Sequence, residues 1–176
     1  MKKLKYSTPF YSRNYFSENL LPAKVWAGRK SVQQQIPFTQ HDDLELLLIR
    51  KGEGLLTVNE RDYPLSRGML FCFSPHHFHR LSLPKGHTLE VSECHVNSGV
   101  YFYITACPYF IGDDRTVPYP PLLAVLDEAH TQKAEALMDR VADECEKKSL
   151  LVAENQSVFF LLLKLFGTLE KFALSQ

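Results

Sequence analysis

A mainly-β barrel or sandwich followed by an α-helical tail is the fold class this sequence predicts. Three observations predict it. From Lys24 to Thr105, short apolar or alternating runs are separated by turns rich in Gly, Pro and Asn at near-regular intervals, the pattern of all-β architectures. At Pro118, Pro120 and Pro121 that pattern ends. Beyond it the apolar residues recur with helical spacing.

The elements follow in order. Residues 1–22 form a polar arm studded with aromatics (Tyr6, Phe10, Tyr11, Tyr15, Phe16) and show no clean periodicity. Lys24 to Gly28 is a short strand, and Ser31 to Phe38 a second, weaker one. Leu44 to Arg50 is strongly apolar and is closed by Gly52-Glu-Gly54. Leu55 to Val58 and Arg61 to Leu65 make a hairpin around Asn59-Glu60. Pro64 lacks a ladder donor, so the second strand belongs at a sheet edge. After Ser66-Arg-Gly68 come strands at Met69–Phe73, His79–Leu83 and Thr88–Val96, with Pro75–Phe78 and Pro84-Lys-Gly86 as connections; Tyr101–Thr105 is a further candidate. The barrel is thus expected over 23–118 and a helical segment over 119–176. Leu122 to about Lys148 reads as one or two helices, with Ala134, Leu137, Met138, Val141 and Cys145 on one side. In the last helix, Val158, Leu162, Leu165, Leu169 and Phe172 make a near-heptad seam, and Phe159, Leu163 and Phe166 a second stripe beside it. So wide an apolar surface needs two neighbours. The barrel is one candidate, the same helix of a second subunit the other. This assigns Val158, Leu162, Leu165 and Leu169 to a dimer interface.

Composition narrows the function classes. At 176 residues, 45% of them hydrophobic, the chain suits one domain with a helical appendage and has ample material for a core. Twenty basic and twenty acidic residues cancel, so no basic excess points to nucleic acid. The charged start, Met1-Lys-Lys-Leu-Lys, is followed by Ser, Thr, Pro, Arg and Asn instead of a signal peptide's apolar stretch. The apolar run Val158–Leu163 is far too short to span a bilayer. A cytoplasmic protein without a membrane partner is the expectation. The four cysteines (Cys72, Cys94, Cys107, Cys145) show no C-x-x-C pair and read as small buried hydrophobes.

The candidate site lies between His41 and His79. Along Thr39 to Ile49, alternation puts His41, Asp43, Glu45, Leu47 and Ile49 on one face and Leu44, Leu46 and Leu48 on the other. Both faces carry Leu, so the strand is covered on both sides. If His41 and Glu45 point into the barrel, they place polar groups in an apolar cavity, and His79 joins them from a neighbouring strand. Three readings are open: hydrogen-bonding groups for a polar organic ligand, a satisfied core network, or ligands of Fe(II), Zn(II) or Mn(II). Trp26, the only Trp, is either a stacking face for a sugar or aromatic ligand or a core residue. His76 and His77 read as solvated loop histidines, and His87, His95 and His130 as scattered ones. No Ser/His/Asp arrangement, phosphate-cradling loop or activated Cys is evident.

His41-Asp-Asp-Leu-Glu45, Gly52 seven residues after Glu45, and then Gly68 with Pro75-His-His-Phe-His79 resemble the double signature of a cupin, a double-stranded β-helix (jelly-roll) barrel. The metal-binding form of that signature has a further His two before His41, where this chain has Thr39, and some forms an Asn at the position of Leu83. The metal set is incomplete, so no cofactor is expected; a divalent metal, if held, would use His41, Glu45 and His79. The longer run His41–His79, with its Gly-x-Gly turn, Tyr63-Pro-Leu65 and Gly68-Met-Leu70, resembles the N-terminal domain of AraC-type transcription regulators, with Met69 where an acidic residue is usual. The resemblance covers about residues 20 to 100 well, and the helical tail extends it. It implies a barrel that binds a small effector, often a sugar; the candidate ligand-binding residues of this chain remain His41, Glu45, His79 and Trp26. It also implies an arm that can cover the ligand and helices that form a homodimer. DNA contact would come through a C-terminal helix-turn-helix domain not present in this chain. The expected function is therefore effector binding and dimerisation in a bacterial regulator, without catalysis. The rivals are a small metal-dependent isomerase or dioxygenase and a plain dimeric carbohydrate-binding module.

Overall fold

The computed structural model describes residues 25–40, 43–73, 77–97 and 121–146, and helical positions 161, 162, 164, 165, 167–169, 171 and 172. The expected arm, the candidate strand at Tyr101–Thr105, and His41, His76 and Val158 lie outside the described residues.

Two antiparallel sheets face each other. The first, in spatial order, is β1 (Val25–Val32), β8 (Leu89–Asn97), β3 (Asp43–Lys51), β6 (Met69–Phe73) and β9 (Leu122–Val125). The second is β2 (Ile36–Thr39), β7 (His79–Ser82), β4 (Gly54–Val58) and β5 (Arg61–Leu65). β5 is at the edge, where Pro64 belongs. The β4–β5 turn has positive φ at both Asn59 (44°) and Glu60 (68°), the left-handed geometry that suits a two-residue hairpin. Asn59 also ties the turn to the residue before β7: its Oδ1 accepts from the Phe78 N–H at 3.0 Å.

Alternation along β3 builds two cores. Leu47 and Ile49 point between the sheets and pack with Val32, Leu56, Val58, Leu65, Phe71, Phe73, Leu81, Leu89 and Val91. Leu44, Leu46 and Leu48 point outward and pack with Ala134, Met138 and Val141 of helix α1 (Glu128–Glu146), and with Leu161, Leu162, Leu165 and Leu169. Burial of each such Leu stabilises the fold by roughly 1.5–3 kcal/mol.

Three sequence expectations are corrected. Residues Val25–Val32 form one strand instead of a strand ending at Gly28, because every residue pairs in register with β8, Gly28 with Glu93. The helix expected from Leu122 begins at Glu128; Leu122–Val125 instead pairs with Met69–Cys72 and extends the first sheet beyond residue 118. The seam assigned to a dimer interface is used inside the chain: Leu162, Leu165 and Leu169 each retain 0% exposure against the sheet's outer face. They are core positions.

Arginines on the barrel fix α1 in place. Asp127 caps the helix, its Oδ1 accepting from the His130 N–H at 2.8 Å. Arg67 reaches Glu128 at 2.9 Å and Glu135 at 2.6 Å. Arg50 reaches Asp139 at 2.9 Å, and Arg29 Nε donates to Asp139 Oδ1 at 2.6 Å. Burial pushes the Asp139 carboxyl upward, but hydrogen bonds from Arg29 and Arg50 outweigh it and hold the group below its ordinary value of 3.8. A depressed folded-state value contributes stability above the ordinary carboxylate range, and that stability is lost as pH falls through the lowered value. Asp139→Asn is therefore expected to melt below wild type at neutral pH, with the two curves converging below about pH 4. A constant gap at all pH values would show that the ion pairs contribute nothing.

Candidate functional site

Residues in register across an antiparallel sheet share a face. One such row in the first sheet runs Trp26, His95, Glu45, Phe73. It is continuous with the inward face of Leu47 and Phe71, so all four point between the sheets. Facing it, the second sheet contributes the row Thr39, His79, Val58. The lower rows are mainly aliphatic and aromatic, apart from Glu93 on β8 and Lys30 on β1. Polar groups are therefore concentrated at one end of the barrel, where β3 and β7 begin and β8 ends.

There a buried carboxylate lies between two imidazoles. Glu45 Oε2 is 3.4 Å from His79 Nε2, and Glu45 Oε1 is 3.9 Å from His95 Nε2. Each side chain keeps little exposure: 6% for Glu45 and 11% for each histidine. His79 Nδ1 lies 3.2 Å from the His77 carbonyl, which can only accept, so Nδ1 carries a hydrogen. That leaves Nε2 to face Glu45 and the Thr39 hydroxyl, 3.1 Å away. A neutral His79 accepts from Thr39; a protonated one donates to these oxygens. Phe73 stacks on the His79 ring at 4.8 Å and 13°, and the Trp26 ring lies 5.4 Å from His95. The result is a set of donors and acceptors beside aromatic faces, the usual make-up of a small-ligand site.

Glu45 and His79, on strands remote in sequence, come together as expected, and Trp26 stands in the same row. His41 lies outside the described residues. Two histidines were misread from sequence. His95 is a neighbour of Glu45, and His77 is buried at 6% exposure with its ring edge-on to Phe73. The signal for His95 was present: Leu89, Val91, Glu93 and His95 alternate with outward residues, so His95 shares the inward face of two core residues.

Other reactive groups are muted. Burial pushes the Cys94 thiol well above its ordinary value, with Cys145, Cys72 and Glu45 adding to the effect; burial also raises Cys145 to about 11. Neither is a thiolate at neutral pH. Among the described residues, no group of three His, Cys, Asp or Glu side chains is placed to hold a metal ion, and no helix is long and apolar enough to cross a membrane.

The apo structure of ToxT K231A from Vibrio cholerae matches with a TM-score of 0.55 at 9% identity, covering 84% of this chain and 56% of that one. This chain thus spans little more than half of ToxT's length. A cupin protein from Bacteroides fragilis matches with a TM-score of 0.38 at 20% identity, covering 46% of this chain and 70% of its own. A predicted oxalate decarboxylase from Thermotoga maritima matches with a TM-score of 0.38 at 19% identity, covering 40% and 64%. A search of curated proteins gave no match. The family model described as the AraC-like ligand binding domain matches residues 29–154, most of the barrel and all of α1. With its mainly-β, two-sheet barrel and following helix, the chain belongs to the AraC-like ligand-binding domain family.

Proposed function

We propose that this domain binds a small hydroxylated effector, a sugar or a related metabolite, at the polar end of the barrel, and that it does no chemistry on it. One observation carries the reading: Glu45, His79, His95 and Thr39 converge at one end of a mainly apolar interior beside Trp26. A hydroxyl both donates and accepts, so it can satisfy a carboxylate and an imidazole at once. A sugar's C–H face suits an indole. The site is read without a metal, because the Thr39 hydroxyl lies against the His79 nitrogen that a metal would need. The same reading makes the domain half of a cytoplasmic homodimer that contacts DNA only through a separate domain. Effector binding then biases the arrangement of attached domains by its differential affinity for two states.

A thermal-shift screen of sugars, sugar acids and polyols tests this. A ligand that binds only the folded state, at about a hundredfold excess over its Kd, adds about 2.7 kcal/mol, which raises Tm by several degrees. At least one hydroxylated compound is expected to do so for wild type and to fail with Glu45→Gln. A screen that yields only apolar hits would remove the hydroxylated effector.

A further inference from the structure

The barrel interior holds a second polar group that the site above does not use. Glu93 lies one row below His95 on β8, in register with Leu47 and, across β1, with Gly28. Lys30 lies one row further, in register with Val91, which in turn pairs with Ile49. Leu47, Ile49 and Val91 all belong to the inter-sheet core, so Glu93 and Lys30 also point inward. Their charged ends meet diagonally at 3.6 Å, with 10% and 21% of the side chains exposed.

An ion pair here is poorly explained by stability. Desolvation of both charges offsets most of their attraction, and apolar side chains of similar volume would hold a core at least as well. A ligand gives a better reason. Trp26 joins the two polar groups: its indole reaches over Gly28, where an added Cβ would sit 3.1 Å from Trp26 Cζ2. Gly28 is the partner of Glu93, and the Trp26 ring also lies beside His95. One aromatic plate thus runs past both groups. Along β8, His95 and Glu93 are two residues apart, about 6.5–7 Å.

The geometry points to Glu93 and Lys30 as a second anchor for the effector, so that the ligand is a chain or ring of several hydroxyls lying along Trp26. One end meets Glu45 and His95, and the other meets Glu93 and Lys30. This inference rests on the hydroxylated-effector reading. It adds that one polar end on the ligand is not enough.

The probes are arabinose, xylose, xylitol and sorbitol, with Kd measured by calorimetry. Glu93→Gln is the simplest variant, but it leaves Lys30 without its partner carboxylate. The double variant Lys30→Met/Glu93→Leu removes both charges and keeps an apolar interior, with melting curves reporting the fold. Wild type is expected to bind at least one probe, and both variants to weaken it by about tenfold or more while the double variant still melts cooperatively. A smaller loss in the folded double variant overturns the second anchor and leaves the hydroxylated-effector reading intact. No binding to wild type of these probes, or of any sugar, sugar acid or polyol in the thermal screen, overturns both.

Discussion

Leu165→Ala is expected to destabilise the domain by about 2–5 kcal/mol in chemical denaturation, without changing its oligomeric state. Leu165 is fully buried between the outer face of the first sheet and the helical layer, among Leu46, Leu48, Met138 and Val141. Truncation removes its transfer energy and leaves a cavity that rigid strands on one side cannot fill. Against a typical total of about 5–15 kcal/mol, that is a large fraction. If Leu165→Ala instead leaves stability unchanged, the packing of this helix on its own barrel is wrong.

Gly68→Ala is expected to be nearly as damaging, although it adds only a methyl group. Gly68 has φ of +87°, where an L-residue is strained by about 1–3 kcal/mol. Its added Cβ would lie 2.7 Å from the Leu126 carbonyl oxygen and 2.7 Å from Thr131 Oγ1. Neither can easily retreat. Leu126 N–H donates to Gly68 O at 3.0 Å, and the Thr131 hydroxyl donates to the Asp127 carbonyl at 2.7 Å. The Gly68 N–H in turn donates to Ile49 O at 3.0 Å. One glycine thus joins the end of β3, the start of β6 and the connection from β9 into α1. A Tm within a degree of wild type would contradict this.

Much of this architecture was legible in the sequence because it is local. The turns at Asn59, Gly52 and Gly68 are written in residues that tolerate positive φ, and Glu60 follows Asn59 into it. The two covered faces of β3 are written in the alternation of Glu45, Leu47 and Ile49 with Leu44, Leu46 and Leu48. What was missed depends on partners remote in the chain. Leu122-Leu-Ala-Val125 is too short for its period to separate strand from helix, and its pairing with β6 decides the matter. The breadth of the last helix's apolar surface was visible, but not which stripe the barrel takes. For the site, Glu45, His79 and Trp26 stood out by type and spacing. His95 and Glu93 did not, since only register across β1, β8 and β3 shows that they stand beside them.

Trp26 is the only tryptophan of the chain and stands in the candidate site, so its fluorescence reports on the central claim directly. A hit from the thermal screen, titrated into the protein, is expected to change Trp26 emission saturably, with a midpoint equal to the Kd from calorimetry. Both signals should vanish in Glu45→Gln while the unliganded variant stays folded. A compound that raises Tm and binds with undiminished affinity to Glu45→Gln, and leaves Trp26 emission unchanged, would place the effector outside this end of the barrel and contradict the account.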